Sequence, residues 1–445
     1  MGANSVWARL RAAVLGRPRD LNDRLLFHKL SLVAVLAWVG LGADGLSSSC
    51  YGPEETYKAL GAHPALAVFV ALACVGTIAV LCASYRQIIE LFPTGGGGYF
   101  VATKLLGRGA GVVSGSALLV DYVLTIAISI AGGADALFSL LPPAYLGWKL
   151  PFALTGVAGM TLLNLRGVRE SVLVQAPIFF VFVATHAVAI LVAVGLHAAD
   201  LPAVTARTAE DVRAAHVELG TLGVLVLLLK AFSVGAGTYT GIEAVSNGLP
   251  VLREPQAETG KRTMLYMGLS LGVTVFGLLL AYLLVRVQPA EGKTLNAVLF
   301  ETITAGWPGR LGQAFVLVSL VSATALLFIA AQAGYVDGPR VLANMALDRW
   351  FPTRFAQLSD RFVAQNGLLL MGGAAAVTLL ATGGSVGLLV VLLVVLYSIN
   401  VFLTFTLSQL GMCVHWVKQK RKGERWARGL VTKGVGLCLT GSILV

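Results

Sequence analysis

The sequence predicts an all-α integral membrane protein built from two inverted halves of five helices each, and three observations carry that expectation. Of 445 residues, 57% are hydrophobic and only 12% charged, whereas a soluble domain carries about a quarter charged residues. Apolar runs of about 20 residues, each long enough to cross a bilayer core of about 30 Å as a helix, recur from Leu30 to the C-terminus. Two of these runs, five spans apart, are interrupted alike: Val39-Gly40-Leu41-Gly42-Ala43-Asp44-Gly45 in the first and Val234-Gly235-Ala236-Gly237-Thr238-Tyr239-Thr240-Gly241 in the sixth. An odd number of spans per half forces inversion. Glycine-interrupted helices at corresponding positions point to a site beside both breaks near the midplane.

The elements follow in order. Residues 1–29 are polar and Arg-rich and lack a short apolar core with a cleavage site, so they read as a cytoplasmic N-terminal segment. Spans are expected at Leu30–Ala59, Pro64–Ser84, Gly109–Leu141, Leu150–Leu165 and Val172–His197, making a first repeat over 30–198. A second repeat over 219–413 holds Gly220–Pro250, Thr263–Val287, Leu311–Gly334, Asn366–Thr382 and Ser385–Cys413. With the N-terminus inside, the loops carrying Arg86, Lys104 and Arg108, Arg166 and Arg169, Arg253, Lys261 and Arg262, and Arg340, Arg349, Arg354 and Arg361 all fall on the cytoplasmic side. The positive-inside rule supports that orientation. Residues 414–445 form a basic loop and an apolar stretch, Val431–Val445, which reads either as an interfacial piece or as an incomplete eleventh span.

The net charge of +11 sets topology in a protein of this kind and gives no reason to expect nucleic acid. The five cysteines, Cys50, Cys74, Cys82, Cys413 and Cys438, lie in or beside apolar runs with no CxxC pair and no neighbouring His cluster. Neither a disulfide framework nor a resident metal is expected, and no cofactor is called for.

Unwinding a helix in lipid frees backbone groups that must meet a cavity or a ligand. Carboxylates at such depth default to functional candidates. Asp44 follows the first break and could cap the next half-helix, bind a cation, or do both. Asp121, Thr125 and Ser129 recur at i, i+4, i+8 and stack a carboxylate and two hydroxyls on one helix face, as a binding column or as an interhelical hydrogen-bond column. Glu243, two residues beyond Gly241, is placed for proton exchange or for pairing with a basic gate residue. Asp135 is expected near the outer vestibule, and Lys230 either pairs across the pathway or snorkels outward. In the tenth span Tyr397, Asn400, Thr404 and Ser408 form a polar stripe, with Tyr397 set to cover a site or offer a hydroxyl. Together these are hard oxygen ligands with net negative charge, a set suited to an alkali cation.

The motifs GLGADGLSSSCYGPEE (Gly40–Glu55), ASYRQIIELFPTGGGGYFVA (Ala83–Ala102), LLVDYVLTIAISIAGG (Leu118–Gly133), YTGIEAVSNGLP (Tyr239–Pro250) and YSINVFLTFTLSQLGM (Tyr397–Met412) resemble the KimA-like group of the KUP potassium transporter family, within the amino acid-polyamine-organocation superfamily. GPRVLANMALDRWFP (Gly338–Pro352) is similar to the superfamily's loop after the eighth span. The resemblance implies the LeuT-type five-plus-five fold with discontinuous first and sixth helices. It also implies secondary active potassium import coupled to protons, in a bacterial-type cell membrane. Carried over by position, it implies a potassium site of Asp44, Tyr51, Asp121, Tyr122, Thr125, Ser129, Thr240 and Tyr397, with Glu243 as the proton-coupling group. The partners implied are the potassium ion, the proton and the lipid bilayer. Family members usually add a cytoplasmic C-terminal domain that supports dimerisation, so a homodimer stays open. A proton-coupled amino acid or polyamine permease of the same fold is the other reading.

Overall fold

A computed structural model of the chain describes residues 31–93, 95, 97–166, 172–359, 363–420 and 426–444. The expected cytoplasmic segment 1–29 lies outside them. Among the described residues all regular secondary structure is helical, apart from a single parallel bridge between Leu32 and Leu252. Seven of the described helices are long and apolar enough to cross a bilayer, and the protein is a multi-pass membrane protein.

The first span is broken. Helix α1 (Ala34–Ser47) passes through a 3-10 turn at Ser48–Cys50 into α2 (Gly52–Ala59). The second span is α3 (Ala67–Leu91), followed by the short α4 (Gly98–Leu106), then α5 (Arg108–Phe138), α6 (Lys149–Leu165) and α7 (Val172–Leu196). Helix α8 (Leu201–Val234) joins a segment outside the expected sixth span to the first half of that span, across a kink where Gly220 has φ 69°. A 3-10 turn at Gly235–Tyr239 then leads to the short α9 (Ala244–Asn247). Next come α10 (Gln256–Val285), a covering helix α11 (Leu295–Thr304), α12 (Leu311–Leu347), α13 (Gln365–Ala381), α14 (Val386–Gln419) and α15 (Trp426–Leu444).

Packing follows the two-fold logic of the repeats. The second span packs on the seventh (α3 on α10), the third on the eighth (α5 on α12) and the fourth on the ninth (α6 on α13), so each helix meets its counterpart five places on. Small residues set the close approaches. At Gly334 on α12 a side chain would come 2.7 Å from the Tyr122 carbonyl oxygen of α5, the spacing that lets helix backbones meet inside a membrane.

Two expectations are revised. The eighth span does not end at Gly334: α12 continues through Pro339 to Leu347, because Gly338 and Pro339 pack against Met371 and Gly367 of α13. Tertiary contact overrides a local helix-breaking signal. Segment 201–219, read only as a connection, is helical and docks on the loop before α3. His63 Nδ1 lies 2.7 Å from Asp211 Oδ1 and His63 Nε2 lies 3.3 Å from Glu218 Oε2, while the Ala65 amide donates to Asp211 Oδ2 at 3.0 Å.

The hydrogen bond to Asp211, aided by the charges of Asp211 and Glu218, raises the His63 imidazole above its ordinary value. A raised folded-state value means that the contact is fully present below the ordinary imidazole pKa and is lost as pH climbs through the raised one. With the intrinsic base-catalysed exchange rate divided out, the protection of 201–219 is therefore expected to fall on alkalinisation. Asp211→Asn should flatten that dependence, and an unchanged pH profile in this variant would remove the explanation.

Candidate functional site

The first break explains its own serines. Ser47, Ser48 and Ser49 each donate a side-chain hydroxyl to the carbonyl three residues back, to Asp44 at 2.8 Å, Gly45 at 2.5 Å and Leu46 at 2.7 Å. Hydroxyls thus satisfy carbonyls that an interrupted helix would leave bare in an apolar medium. Gly52 and Pro53 then open α2, with Glu54 and Glu55 in its first turn, where a helix N-terminus favours negative charge. Glu54 Oε2 accepts from the Leu295 amide at 3.1 Å and Glu54 Oε1 accepts from Lys58 Nζ at 2.5 Å, which ties α11 over this end of the span.

The second break lies against the first. Thr240 is extended with ψ 153°, Gly241 is left-handed with φ 77°, and Glu243 sits at the N-cap of α9. A side chain at Gly241 would come 2.7 Å from the Gly45 amide nitrogen and 2.8 Å from Asp44 Oδ2. One at Gly52 would collide with the Thr238 hydroxyl, and one at Gly235 with the Thr56 hydroxyl. Ser48 Oγ also reaches the Thr238 carbonyl at 3.2 Å, and Thr240 Oγ1 donates to the Gly237 carbonyl at 2.8 Å. The glycines are therefore the means by which two unwound segments cross in contact.

Helix α5 lays its column beside that crossing. Asp121, Thr125 and Ser129 are all buried. Asp121 feels the charges of Glu243 and Asp44, and Asp44 feels those of Glu243 and Asp337. The Tyr122 hydroxyl accepts from Asn247 Nδ2 at 3.2 Å, linking α5 to the end of α9. Tyr51 is buried with its ring against Gly132 of α5. Asp44, Tyr51, Asp121, Tyr122, Thr240 and Glu243 thus come to one region, with Thr125 and Ser129 extending from it along α5. The side chain of Tyr397 lies outside the described residues.

Asp337 and Asn247 join this region without having been expected there. An eighth span ending at Gly334 leaves Asp337 in a loop; in the longer α12 it faces the site and pairs with Arg340 at 3.1 Å. Its signal in the sequence is the same as that of Asp121, a carboxylate beside an apolar run, and only the helix boundary hides it. Asp135, expected near the outer vestibule, pairs through Oδ1 with Lys149 Nζ at 2.6 Å. Lys230 is exposed on the outside of α8, away from the buried carboxylates.

Among the described residues Asp44, Asp121 and Glu243 form no ion pair with Lys, Arg or His, and Asp121 Oδ1 and Glu243 Oε2 are buried without a hydrogen-bond partner. Buried carboxylates that repel one another and lack a basic partner are stabilised only by a bound cation, by protonation, or by both in turn.

The family described as Amino acid permease matches residues 30–445. The chain is 36% identical over 425 residues to the Potassium transporter KimA of Bacillus subtilis (strain 168), covering 94% of this chain and 66% of that protein. It is 25% identical over 351 residues to the Cationic amino acid transporter 4, vacuolar, of Arabidopsis thaliana, covering 76% of this chain and 55% of that one. The chain thus spans 66% and 55% of the lengths of these two relatives. Among solved structures, a mutant of the Eremococcus coleocola manganese transporter superposes with a TM-score of 0.50 at 14% identity over 95% of this chain and 88% of that one. A Na+-coupled sialic acid symporter gives 0.49 at 11% identity, over 99% and 94%. With the manganese transporter as neighbour, the architecture is the LeuT-type fold, two inverted repeats of five helices with discontinuous first and sixth.

Proposed function

The chain belongs to the amino acid permease family, and on that premise we propose that it is a secondary active transporter of KUP type, importing potassium by proton symport through alternating access. The observation that carries this reading is the set of three buried carboxylates at the crossing of the two broken helices, without basic partners among the described residues. The likeness to a relative named a potassium transporter supports it. Asp44, Tyr51, Asp121, Tyr122, Thr125, Ser129, Thr240 and Tyr397 would supply oxygens to the ion, and Glu243 would carry the proton. The transport core would be 30–413, with the N-terminus cytoplasmic and 414–445 appended to it. The bundle of spans one, two, six and seven would rock against the rest, opening the crossing to each side in turn. A homodimer belongs to the same proposal.

A second reading has one observation behind it. The other relative is named a cationic amino acid transporter, and an acidic site would also accept a cationic side chain. The substrate's own carboxylate would then have to sit among Asp44, Asp121 and Glu243, which repel it.

Cells lacking their own potassium uptake and expressing this chain are expected to grow at low potassium and not to accumulate labelled arginine. Glu243→Gln is expected to keep downhill potassium movement and to lose accumulation driven by a proton gradient. Arginine uptake without rescue would transfer the assignment to the permease reading. Full proton-driven accumulation in Glu243→Gln would remove the coupling role while leaving the cation site standing.

A further inference from the structure

Helix α15 carries a buried cation that the potassium site does not use. Lys433 has 0% exposure, and its Nζ donates to the Ser84 carbonyl at 2.6 Å and to Ser84 Oγ at 2.5 Å on α3. Ser84 Oγ in turn donates to Gln409 Oε1 on α14 at 2.6 Å. Gly436, one turn along α15, admits the Gln409 carboxamide: a side chain there would come 2.9 Å from its Cδ. Three helices therefore meet on one ammonium.

The acceptors are all neutral. Among the described residues the titratable groups near Lys433 are Cys413 of α14 and, on its own helix, Cys438, which lies near Cys413. No carboxylate of the described residues pairs with it. A lysine buried among the helices of a membrane protein is costly and marks a functional position by default. Lysine differs here from arginine, since a buried ammonium exchanges its proton readily and a guanidinium does not. The polar chain runs from Lys433 through Ser84 to Gln409 of α14.

We propose that Lys433 is a second proton-binding group of the carrier, whose ammonium clamps the second span to the tenth and eleventh and whose proton must leave before the second span moves. In the step, Nζ gives one proton to a water molecule at the edge of the contact and remains as a neutral amine with two N–H donors, and the second span then moves. The proton returns from water when the helices close. The functional part of this inference rests on the transport reading above, whereas the protonation itself is testable without any substrate.

The first measurement is thermal melting of the purified chain in lipid nanodiscs, with no potassium gradient, from about pH 6 to about pH 9. The wild-type midpoint should move with pH, and Lys433→Met should lose that movement by roughly 4 °C or more across the range. Lys433→Gln serves for the same series if the Met variant does not fold. Parallel profiles in the wild type and the variant would overturn the proposal.

The second measurement is the pH profile of potassium flux in proteoliposomes. Lys433→Arg, a fixed charge, should lower turnover about tenfold or more. Lys433→Gln should remain within about threefold of the wild type with a flattened profile. An active Lys433→Arg beside a damaged Lys433→Gln identifies a static tether and overturns the proposal. If the chain moves no potassium at all, the melting series still decides whether Lys433 titrates, and the transport reading fails separately.

Discussion

Asp121→Asn is expected to reduce potassium uptake by roughly a hundredfold while leaving the fold intact. Removing one anionic ligand from a buried site that holds a cation costs about 3 kcal/mol, which is roughly two decades in affinity. The same substitution keeps the shape of the side chain and removes the repulsion that Asp121 shares with Glu243 and Asp44. The melting temperature of the ion-free protein should therefore stay level or rise. That opposite movement separates a ligand from a structural group, because a carboxylate held only for stability would lower both quantities together. Potassium-selective electrode traces from proteoliposomes, beside melting curves in potassium-free buffer, give the two readings. Uptake within about threefold of the wild type would show that Asp121 is no ligand of the transported ion.

The second large effect is expected at Gly241. Its φ of 77° is a left-handed backbone that costs a residue with a side chain about 1–2 kcal/mol. A Cβ there would also stand 2.7 Å from the Gly45 amide nitrogen and 2.8 Å from Asp44 Oδ2. Neither neighbour can yield cheaply, since one is backbone and the other belongs to the proposed site. Gly241→Ala should separate the two breaks and bring transport to background. Gly76→Ala, on α3 with nothing within 4 Å of the added carbon, should cost almost nothing and controls for the substitution itself. A Gly241→Ala protein with wild-type uptake would mean that the breaks do not need their contact.

The comparison of Asp121 with Asp337 shows how far residue order reaches. Both are carboxylates beside apolar runs. Asp121 stands in the middle of a long run, so any placement of the span keeps it inside. Asp337 stands next to Gly338 and Pro339, where local propensity ends the helix, and only the packing of that dipeptide on α13 carries α12 through it. Asp135 shows the converse. Its depth is legible from sequence, but its partner Lys149 lies across a turn and onto α6, and no spacing rule fixes that pair. Lys433 sits in a stretch that reads as incomplete or interfacial, and its meaning depends on Ser84, hundreds of positions back along the chain, and on Gln409 of the preceding helix.

Composition and periodicity by themselves determined that this chain is a multi-pass helical membrane protein with two matched breaks. Hydrocarbon thickness and the cost of bare backbone groups act locally, on runs of about 20 residues. Tertiary structure alone decided that the breaks touch through Gly241 and Gly45, that Asn247 holds the Tyr122 hydroxyl, and that three carboxylates gather with no basic partner among the described residues. Convergence of charges from helices far apart in the chain is a property of packing. It follows from which glycines permit close approach, and no single segment encodes it.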